Sequence, residues 1–548
     1  MKNCIYGSLE LGIFNINNSE NYYEDDNIFI AVDSTLKVDF LKIKELYYKS
    51  LMSDIGDFIS IYLYDKVAKK LLLVPDRMGV KPIYYSEEGN SIYFGGDTIS
   101  IVDSFNLKKD INVEVLPMFF RHHYIVAPNT IFKEVKRIEH GSYLQYENNK
   151  LQLIKYWDLY AKYNEGHKNL LRNYEECKNG LHSLLENTVN NEIDLLGEGN
   201  LGFYISGGID SSLVSALATK YIKKPITTIS IGFDTKNEDE SIYAKEVANL
   251  IGSSHKEYIV TDKDALEFVH KVPLYYREPF ADASQVVTII LNEFAKENGI
   301  SVAITGDGAD QLFCGLNEYD YIKKTQILHD VGNPFNLHID NSTIHKHSKL
   351  EKMFFNTDKR YQSQFNVYRY ETGNHLDNLL LVSGKTRYEE EQLIKTSNWQ
   401  ERRMILDLGT FIRYGVVNKM SRATYFNNIE MMSPFLDKEV IEYSFSIPHK
   451  YKYYKGDKKH ILKEVLYEYL PSELFNRKKH GFGIPKWHWL ETCLKQDLIE
   501  VSDRDFIISQ GIFNPDYVEK ELKSLGRVDT QVVWAFLMFQ LWYKTYIV

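Results

Sequence analysis

The sequence contains few of the residues that mark specialised protein classes. Its 548 residues include 4 cysteines, 13 prolines and 31 glycines. That content of glycine and proline is too low for collagen-like or low-complexity structure. The cysteines show no CxxC spacing, which argues against a zinc ribbon and a disulfide scaffold and favours a reducing cytosol. With 44% hydrophobic and 26% charged residues, the composition is that of a globular protein long enough for more than one domain.

Long apolar runs and an excess of positive charge are also missing. The N-terminal segment has no apolar stretch after a basic start, so we expect no signal peptide. The most apolar late stretch, residues 532–548, carries Gln540 and Lys544 and is shorter than the ~20 residues of a membrane span, which predicts a buried C-terminal helix. The net charge of −10 makes nucleic acid a poor expected partner but leaves a small phosphorylated ligand open. We therefore expect a cytoplasmic protein that binds neither membranes nor nucleic acid.

The two parts of the chain differ in hydrophobic pattern. Up to about residue 155, short alternating segments such as Phe58–Tyr64 are separated by turns, which indicates a β-rich domain. After residue 166, apolar strands alternate with helices, which is typical of a doubly wound parallel sheet, and residues 320–548 have a mostly helical pattern. The sequence thus predicts a first domain at 1–160 and an α/β domain at 166–548, with the boundary near Tyr160–Lys168.

The clearest motif is Ser206-Gly-Gly-Ile-Asp-Ser-Ser212, after the apolar strand 202–205 and before a helix predicted over 213–221. Glycines let the backbone approach a ligand, and the N–H groups at a helix start attract anions. The motif lacks the GxxxxGK[ST] pattern, so it is not a Walker A loop. A plain strand–turn–helix is the alternative interpretation. The residues predicted to bind phosphate through hydroxyl or backbone groups are Ser206, Gly207, Gly208, Asp210, Ser211 and Ser212.

A second motif, Thr305-Gly-Asp-Gly-Ala-Asp310, also follows an apolar strand. Ligands bind at the carboxyl ends of parallel strands, so this motif and the phosphate loop should lie together. Mg²⁺ takes one or two carboxylates together with substrate phosphates, which makes Asp210 and Asp310 the predicted metal ligands. A Gly-Asp turn with an N-capping aspartate is the alternative.

With both motifs in view, nearly the whole chain resembles asparagine synthetase and its relatives. The resemblance also rests on later strings, which are Ser230–Phe233, Asp239-Glu240, Glu278–Asp282 with Ser284, Lys419, Arg422, Pro434–Asp437 and Arg477–Gly483. It implies a PP-loop ATP pyrophosphatase-type synthetase domain that uses ATP and Mg²⁺ to adenylate a carboxylate, after which an amine attacks the acyl-AMP. By resemblance, Ile231 holds adenine through its backbone, and Gly306 and Lys419 contribute to the nucleotide site. Lys479 and Asp307 are the residues it implies for catalysis.

The first domain resembles the family's N-terminal-nucleophile (Ntn) hydrolase-like glutaminase only in its framework, in strings such as Asp76–Tyr85. That enzyme needs cysteine at its mature N-terminus, where the thiol attacks glutamine. Here the chain starts Met-Lys-Asn-Cys4, the family's Arg-Gly-Pro-Asp stretch is absent, and Val32-Asp-Ser34 replaces an Asn-Gly-Glu string. We therefore predict a degenerate glutaminase-like domain kept as a structural remnant, with Cys4 a small buried residue.

Three functions remain open from the sequence. The first is a synthetase that joins a carboxylate to an amine from a source other than glutamine, as in relatives such as β-lactam and carbapenam synthetases and lasso-peptide macrolactam cyclases, which close an amide within one molecule. The second makes a primary amide from free ammonia or with a partner glutaminase. The third is a silent member that binds nucleotide or a partner protein. Expected partners are a small-molecule or peptide carboxylate and a biosynthetic partner enzyme or leader-peptide-binding protein, and a homodimer is also expected.

Overall fold

The computed structural model describes residues 4–10, 12–17, 20–52, 57–195, 199–233, 241–332, 376, 378–384, 390–477, 485–522 and 530–548. Its first part contains two antiparallel sheets with strand orders β2-β1-β8-β7-β9 and β11-β10-β6-β5-β4-β3. The strands are β1 Tyr6–Glu10, β2 Ile13–Asn17, β3 Tyr22–Glu24, β4 Ile28–Val32, β5 Ile61–Asp65, β6 Lys70–Val74, β7 Tyr84–Glu88, β8 Ser91–Gly95, β9 Lys136–Arg137, β10 Ser142–Glu147 and β11 Lys150–Lys155.

Side-chain alternation explains how these sheets pack. Tyr62 and Leu73 lie in a core that includes Phe94 of the opposite sheet. Their neighbours Leu63 and Leu72 point to the other face, into the core that includes the helix Phe40–Tyr48. Since successive residues of a strand face opposite sides, one sheet is buried on both faces. The predicted β-rich first domain is confirmed.

The second part is built on a five-stranded parallel sheet of order β14-β13-β12-β15-β16. Its strands are β12 Leu201–Tyr204, β13 Thr227–Phe233, β14 Ser254–Val260, β15 Val302–Ile304 and β16 Glu430–Met432. The parallel order confirms the predicted α/β fold. The described residues after 320 are mostly helical, as predicted. They also contain β16, which completes this sheet, and a small hairpin that pairs β17 Tyr453–Tyr454 with β18 Asp457–Lys458.

Helices surround both sheet systems. The α-helices are Phe40–Tyr48, Thr98–Ser104, Leu116–His122, Leu159–Lys168, Tyr174–Leu195, Ile209–Tyr221, Ser241–Leu250, Asp262–Val269, Val272–Tyr276, Gln285–Glu297, Ala309–Leu312, Asn317–Gly332, Trp399–Asp407, Asn418–Phe426, Lys438–Ser446, His449–Lys452, His460–Leu466, Lys486–Glu491, Lys495–Val501, Arg504–Gln510, Pro515–Tyr517 and Thr530–Tyr546. Short 3₁₀ turns lie at Val113–Val115, Glu390–Leu393, Pro434–Leu436 and Ser472–Phe475, and π-helical turns at Leu408–Val417 and Val518–Leu522.

The last helix, Thr530–Tyr546, is buried along most of its length, as its apolar sequence predicts. Among the described residues, no helix is both long and apolar enough to cross a membrane. The predicted boundary segment forms the helix Leu159–Lys168, where Tyr163 packs edge-on against Phe445 at a ring distance of 5.5 Å. The limits 1–160 and 166–548 stay a prediction.

Candidate active site

The phosphate loop connects β12 to the helix Ile209–Tyr221, which begins four residues earlier than the sequence suggested. Gly208 is its N-cap, so Asp210, Ser211 and Ser212 lie in the first helical turns rather than in a loop before the helix. The first N–H groups of a helix have no partner within the helix and attract anions. The three residues therefore lie at the N-terminal end of a helix, where its free N–H groups can hold phosphate.

Local contacts shape the loop. The backbone N–H of Ser206 donates to Ser211 Oγ at 3.2 Å, and the N–H of Gly208 donates to Ser206 Oγ at 3.3 Å. Gly207 has a φ of +68°, and a Cβ there would lie 2.7 Å from the backbone N of Ala244. Only glycine combines this backbone angle with such a close neighbour.

The second motif lies directly against the first, because β12 and β15 are neighbours in the sheet. A Cβ on Gly306 would lie 2.8 Å from the backbone N of Ser211 and 2.9 Å from the Cβ of Asp210. The absence of a side chain at Gly306 therefore permits this contact between the two loops. The structure brings the predicted phosphate and metal residues together at one edge of the sheet.

A lysine that the sequence analysis missed joins the two predicted metal ligands. Lys459 Nζ lies 2.7 and 2.5 Å from the two carboxylate oxygens of Asp210 and 2.6 Å from Asp310 Oδ1. Gly315 makes room for it, since a Cβ there would lie 2.1 Å from Lys459 Cε. In the local sequence, only the pair Lys458-Lys459 before a helix could have indicated this lysine. Such basic pairs are usually solvated, so the pair alone does not predict a buried contact.

Two carboxylates that converge on one positive charge also form a donor set suitable for Mg²⁺. This ion is held in proteins by one or two carboxylates together with substrate phosphates, and the phosphate loop is adjacent. The described residues contain no cluster of three or more His, Cys, Asp or Glu side chains with metal-binding geometry. Asp210 and Asp310 therefore fit an ion that arrives with a nucleotide better than one that the protein holds alone.

Asp307 lies between the two glycines of the second motif and is partly buried. Thr305 Oγ1 donates to its Oδ2 at 2.9 Å. Burial raises the pKa of Asp307, and the negative charges of Asp210 and Asp310 raise it further. A carboxylate with a raised pKa accepts a proton more readily, so the geometry suits general base catalysis.

Lys419 lies at the start of the helix Asn418–Phe426 and faces the loop 278–284. Its Nζ donates to Asp282 Oδ1 at 3.1 Å and to Ser284 Oγ at 2.5 Å. The charge of Lys419 acts on Asp307 and opposes the rise in its pKa, which places both groups in one site. Ile231 is a buried residue near the end of β13, the strand next to β12.

Lys479 lies outside the described residues. Arg477, two positions earlier, is bound to the phosphate loop: its Nη2 donates to the carbonyl oxygen of Gly207 at 3.0 Å, and its guanidinium lies 3.7 Å from the centre of the Tyr243 ring. Arg477 begins the motif Arg477–Gly483, but that motif does not by itself predict a contact with the phosphate loop.

Comparison with known proteins identifies the family. The family model for asparagine synthase matches residues 180–544, more than half of the chain, and a glutamine amidotransferase domain model matches residues 13–157. The chain belongs to the asparagine synthase family.

Two curated proteins match this asparagine synthase family member over most of its length, and a solved structure matches part of it. Asparagine synthetase [glutamine-hydrolyzing] 1 of Bacillus subtilis is 24% identical over 516 residues, covering 91% of this chain and 79% of that protein. Amidase chyE of Penicillium rubens is 23% identical, covering 85% and 75%. A solved NMN synthetase from Francisella tularensis is 17% identical with a TM-score of 0.19, covering 26% of this chain and 59% of that one. Membership of the family makes the chain an ATP-dependent C–N ligase of the amidation type in general terms.

Within this asparagine synthase family member, Cys4 is buried beside two carboxylates. Burial raises the pKa of its thiol, and the charges of Asp97 and Asp33 raise it further. A small cavity beside it is lined by Cys4, Asp97, Tyr275, Arg277, Arg422, Tyr425 and Phe426. Since the thiolate is the nucleophilic form of cysteine, a raised pKa disfavours that form of Cys4.

Proposed function

We propose that the chain is an ATP- and Mg²⁺-dependent synthetase that adenylates a carboxylate and joins it to an amine from a source other than glutamine. One contrast carries the proposal. The phosphate loop lies against the Asp210–Lys459–Asp310 cluster, whereas the Cys4 thiol is buried beside Asp97, which raises its pKa. A chain of this kind can activate a carboxylate but has to take its amine from elsewhere.

The proposed reaction has two steps. A substrate carboxylate oxygen attacks the α-phosphorus of ATP and pyrophosphate leaves, giving an acyl-AMP. The amine then attacks the acyl carbon, AMP leaves, and the proton released by the amine goes to Asp307. Mg²⁺ would supply charge neutralisation on the phosphates, with Asp210 and Asp310 as its protein ligands.

Other side chains bind and orient. The start of the helix Ile209–Tyr221 and the hydroxyls of Ser206 and Ser211 are suited to the pyrophosphate group. Lys419 faces Asp282 and Ser284 across the opening of the site, so a substrate group can compete for its ammonium. Lys479 is assigned to the oxyanion and α-phosphate by resemblance to the family.

Ring closure within one molecule, of the macrolactam or β-lactam type, is the specific form that we favour. It accounts for an amine source without an active glutaminase. Amidation with free ammonia or a partner glutaminase is the second candidate, and the name of the fungal amidase relative is compatible with it. Under the first candidate, a biosynthetic enzyme or a leader-peptide-binding protein would deliver the substrate.

Substrate-dependent release of AMP and pyrophosphate tests the proposal. The purified protein is incubated with ATP, Mg²⁺ and a panel of carboxylates that includes aspartate and amino-carboxylic precursors encoded near its gene. We expect one AMP per amide formed, independent of glutamine.

Glutamine should yield no glutamate above background, with or without ATP. Steady glutamate release that disappears in Cys4→Ala would overturn the proposed amine source, and Asp310→Asn with unchanged pyrophosphate release would overturn the proposed metal site.

A further inference from the structure

Three basic side chains lie between the two domains, and five of their nitrogen atoms have no hydrogen-bond acceptor among the described residues. Arg137 and His140 come from the first domain, and Arg413 comes from the π-helical segment Leu408–Val417 of the second. We name them the interdomain base cluster and propose that it binds one small anion, which bridges the domains. This inference is independent of the function proposed above.

All three side chains are over nine-tenths buried, with exposed fractions of 3% for Arg137, 5% for His140 and 7% for Arg413. Within the described part of the chain, no hydrogen-bond partner exists for Nε and Nη2 of Arg137, both ring nitrogens of His140, or Nε of Arg413. The contact that Arg413 does make is weak, from Nη2 to the sulfur of Met78 at 3.8 Å. Buried polar groups are nearly always hydrogen-bonded in folded proteins, so five such nitrogens in one place indicate a ligand.

The three groups are neighbours, since burial lowers the pKa of His140 and the nearby charges of Arg137 and Arg413 both lower it further. The Tyr414 ring lies 5.3 Å from the guanidinium carbon of Arg137 and 4.9 Å from the centre of the His140 ring. Arg413 adjoins Tyr414 in sequence and reaches Met78, while His140 packs on the next residue, Gly79, where a Cβ would lie 2.3 Å from the imidazole.

Aromatic rings lie against the faces of both guanidinium groups but not along the edges that carry their N–H groups. Arg137 lies between Tyr84, at 5.7 Å, and Tyr414, and Arg413 lies 5.5 Å from the centre of the Trp157 ring. Ring faces stabilise a cation, but the N–H groups of a guanidinium point outward in its plane and still need acceptors. The site therefore offers converging donors at the edges of stacked cations.

No carboxylate of the described residues serves these donors. The charge of Glu278 acts on Arg137, and its two oxygens already accept from Tyr84 OH and the backbone N–H of Ile131. The charge of Asp158 acts on Arg413, and its two oxygens already accept from the backbone N–H of Ala161 and from Lys155 Nζ. Arginine stays protonated in proteins, so Arg137 and Arg413 bring two positive charges. Water would satisfy the N–H groups but would leave both guanidinium groups without an ion-pair partner in direct contact, which favours a small anion of the halide or carboxylate class.

The direct test uses crystals of the full-length protein grown in bromide. We expect an anomalous peak within hydrogen-bonding distance of Arg137 and Arg413. In solution, the melting temperature should rise saturably with potassium chloride at constant ionic strength, balanced with potassium isethionate, because a ligand of the native state stabilises it by mass action. Formate in place of chloride distinguishes a carboxylate site, which would show the larger rise, from a halide site.

Variants complete the test. In Arg137→Met, the anion concentration that gives half of the maximal rise in melting temperature should increase at least tenfold. The control Lys136→Met removes an exposed charge from the neighbouring position of β9 and should leave it unchanged. If Arg137→Met fails to fold, His140→Phe keeps the ring packing on Tyr414 and should also weaken binding. A map with ordered water and no anomalous peak, or equal anion dependence in Arg137→Met and the parent protein, would overturn the proposal.

Discussion

The ammonium group of Lys459 compensates the carboxylates of the buried Asp210 and the partly buried Asp310, which would otherwise repel each other. Removing one partner of a buried ion pair costs about 3–5 kcal/mol, because the remaining charge is left unpaired. We predict that Lys459→Met lowers the free energy of unfolding by that order when measured by denaturant titration in EDTA. Added Mg²⁺ should recover part of the loss, since it can replace the missing cation between Asp210 and Asp310.

The matched control is Lys458→Met, at the neighbouring and more exposed position where the side chain bonds to Asn317 and Asp320. It should change stability little, and Mg²⁺ should have no extra effect on it. Equal losses in the two variants, both insensitive to Mg²⁺, would contradict the role given to Lys459.

The raised pKa of Asp307 predicts how the rate of amide formation depends on pH. Its raised pKa means that the proton-accepting form is lost at a higher pH than for an exposed aspartate, whose pKa is about 3.9. The rate of amide formation should therefore fall as the pH is lowered through this raised pKa. Asp307→Asn should reduce the rate by about 10²–10⁴ and remove that acid limb, while the release of pyrophosphate in the first turnover stays close to normal. A variant that keeps the same acid limb in its pH–rate profile would exclude Asp307 as the base.

Among the elements, strand β7 of the first domain contacts two segments of the second domain that flank the site. Both contacts are made by Tyr84. Its hydroxyl donates to Glu278 Oε2 at 3.1 Å, at the start of the loop that carries Asp282. Arg422 donates from Nη2 to Tyr84 OH at 3.3 Å and to the carbonyl oxygen of Gly96 at 2.8 Å. Arg422 lies one helical turn beyond Lys419, so the first domain holds both the loop and the helix whose side chains meet at Lys419.

We predict that Tyr84→Phe raises the KM for the carboxylate substrate several-fold and leaves the KM for ATP unchanged, because the phosphate loop is not attached to Tyr84. A net contribution of about 0.5–1.5 kcal/mol per hydrogen bond sets this scale. Steady-state kinetics in each substrate checks it. Tyr85→Phe is the control, since Tyr85 points to the opposite face of β7 into the core between the two sheets. Equal changes in both KM values would indicate a general loss of structure instead.

Two hydrophobic clusters of the molecule include buried residues of both domains. Phe119 and Phe132 of the first part contact Phe539 and Trp542 of the last helix at ring distances of 6.2 and 5.8 Å. Lys81 and Glu430 form a buried ion pair across the same interface at 2.8 Å. The first domain is therefore part of the folding unit.

Truncation tests this dependence. A chain that begins at residue 166 should be insoluble or melt without cooperativity, because it would expose the aromatic face that Phe119 covers. Co-expression with residues 1–165 should restore a soluble complex, detected by size-exclusion chromatography and circular dichroism. A monodisperse 166–548 fragment with a cooperative melting transition would contradict the prediction.

The sequence by itself determined the features that depend on neighbours along the chain. Period-two alternation indicated the first domain, alternating strands and helices indicated the parallel sheet, and seven consecutive residues defined the phosphate loop. The start of the following helix was wrong by four residues, because the boundary depends on Gly208 as N-cap rather than on apolar spacing.

Only the tertiary structure decided the contacts between distant residues. Lys459 reaches Asp210 across 249 positions, and Arg477 reaches Gly207 across 270. β16 joins the sheet from a region with helical pattern, since three residues are too few to show a period of two. The interdomain base cluster likewise combines residues from both domains, and nothing near Arg137 or Arg413 in the sequence signals it. Local sequence limits the conformations of each segment, but which segments meet depends on how their apolar faces pack together.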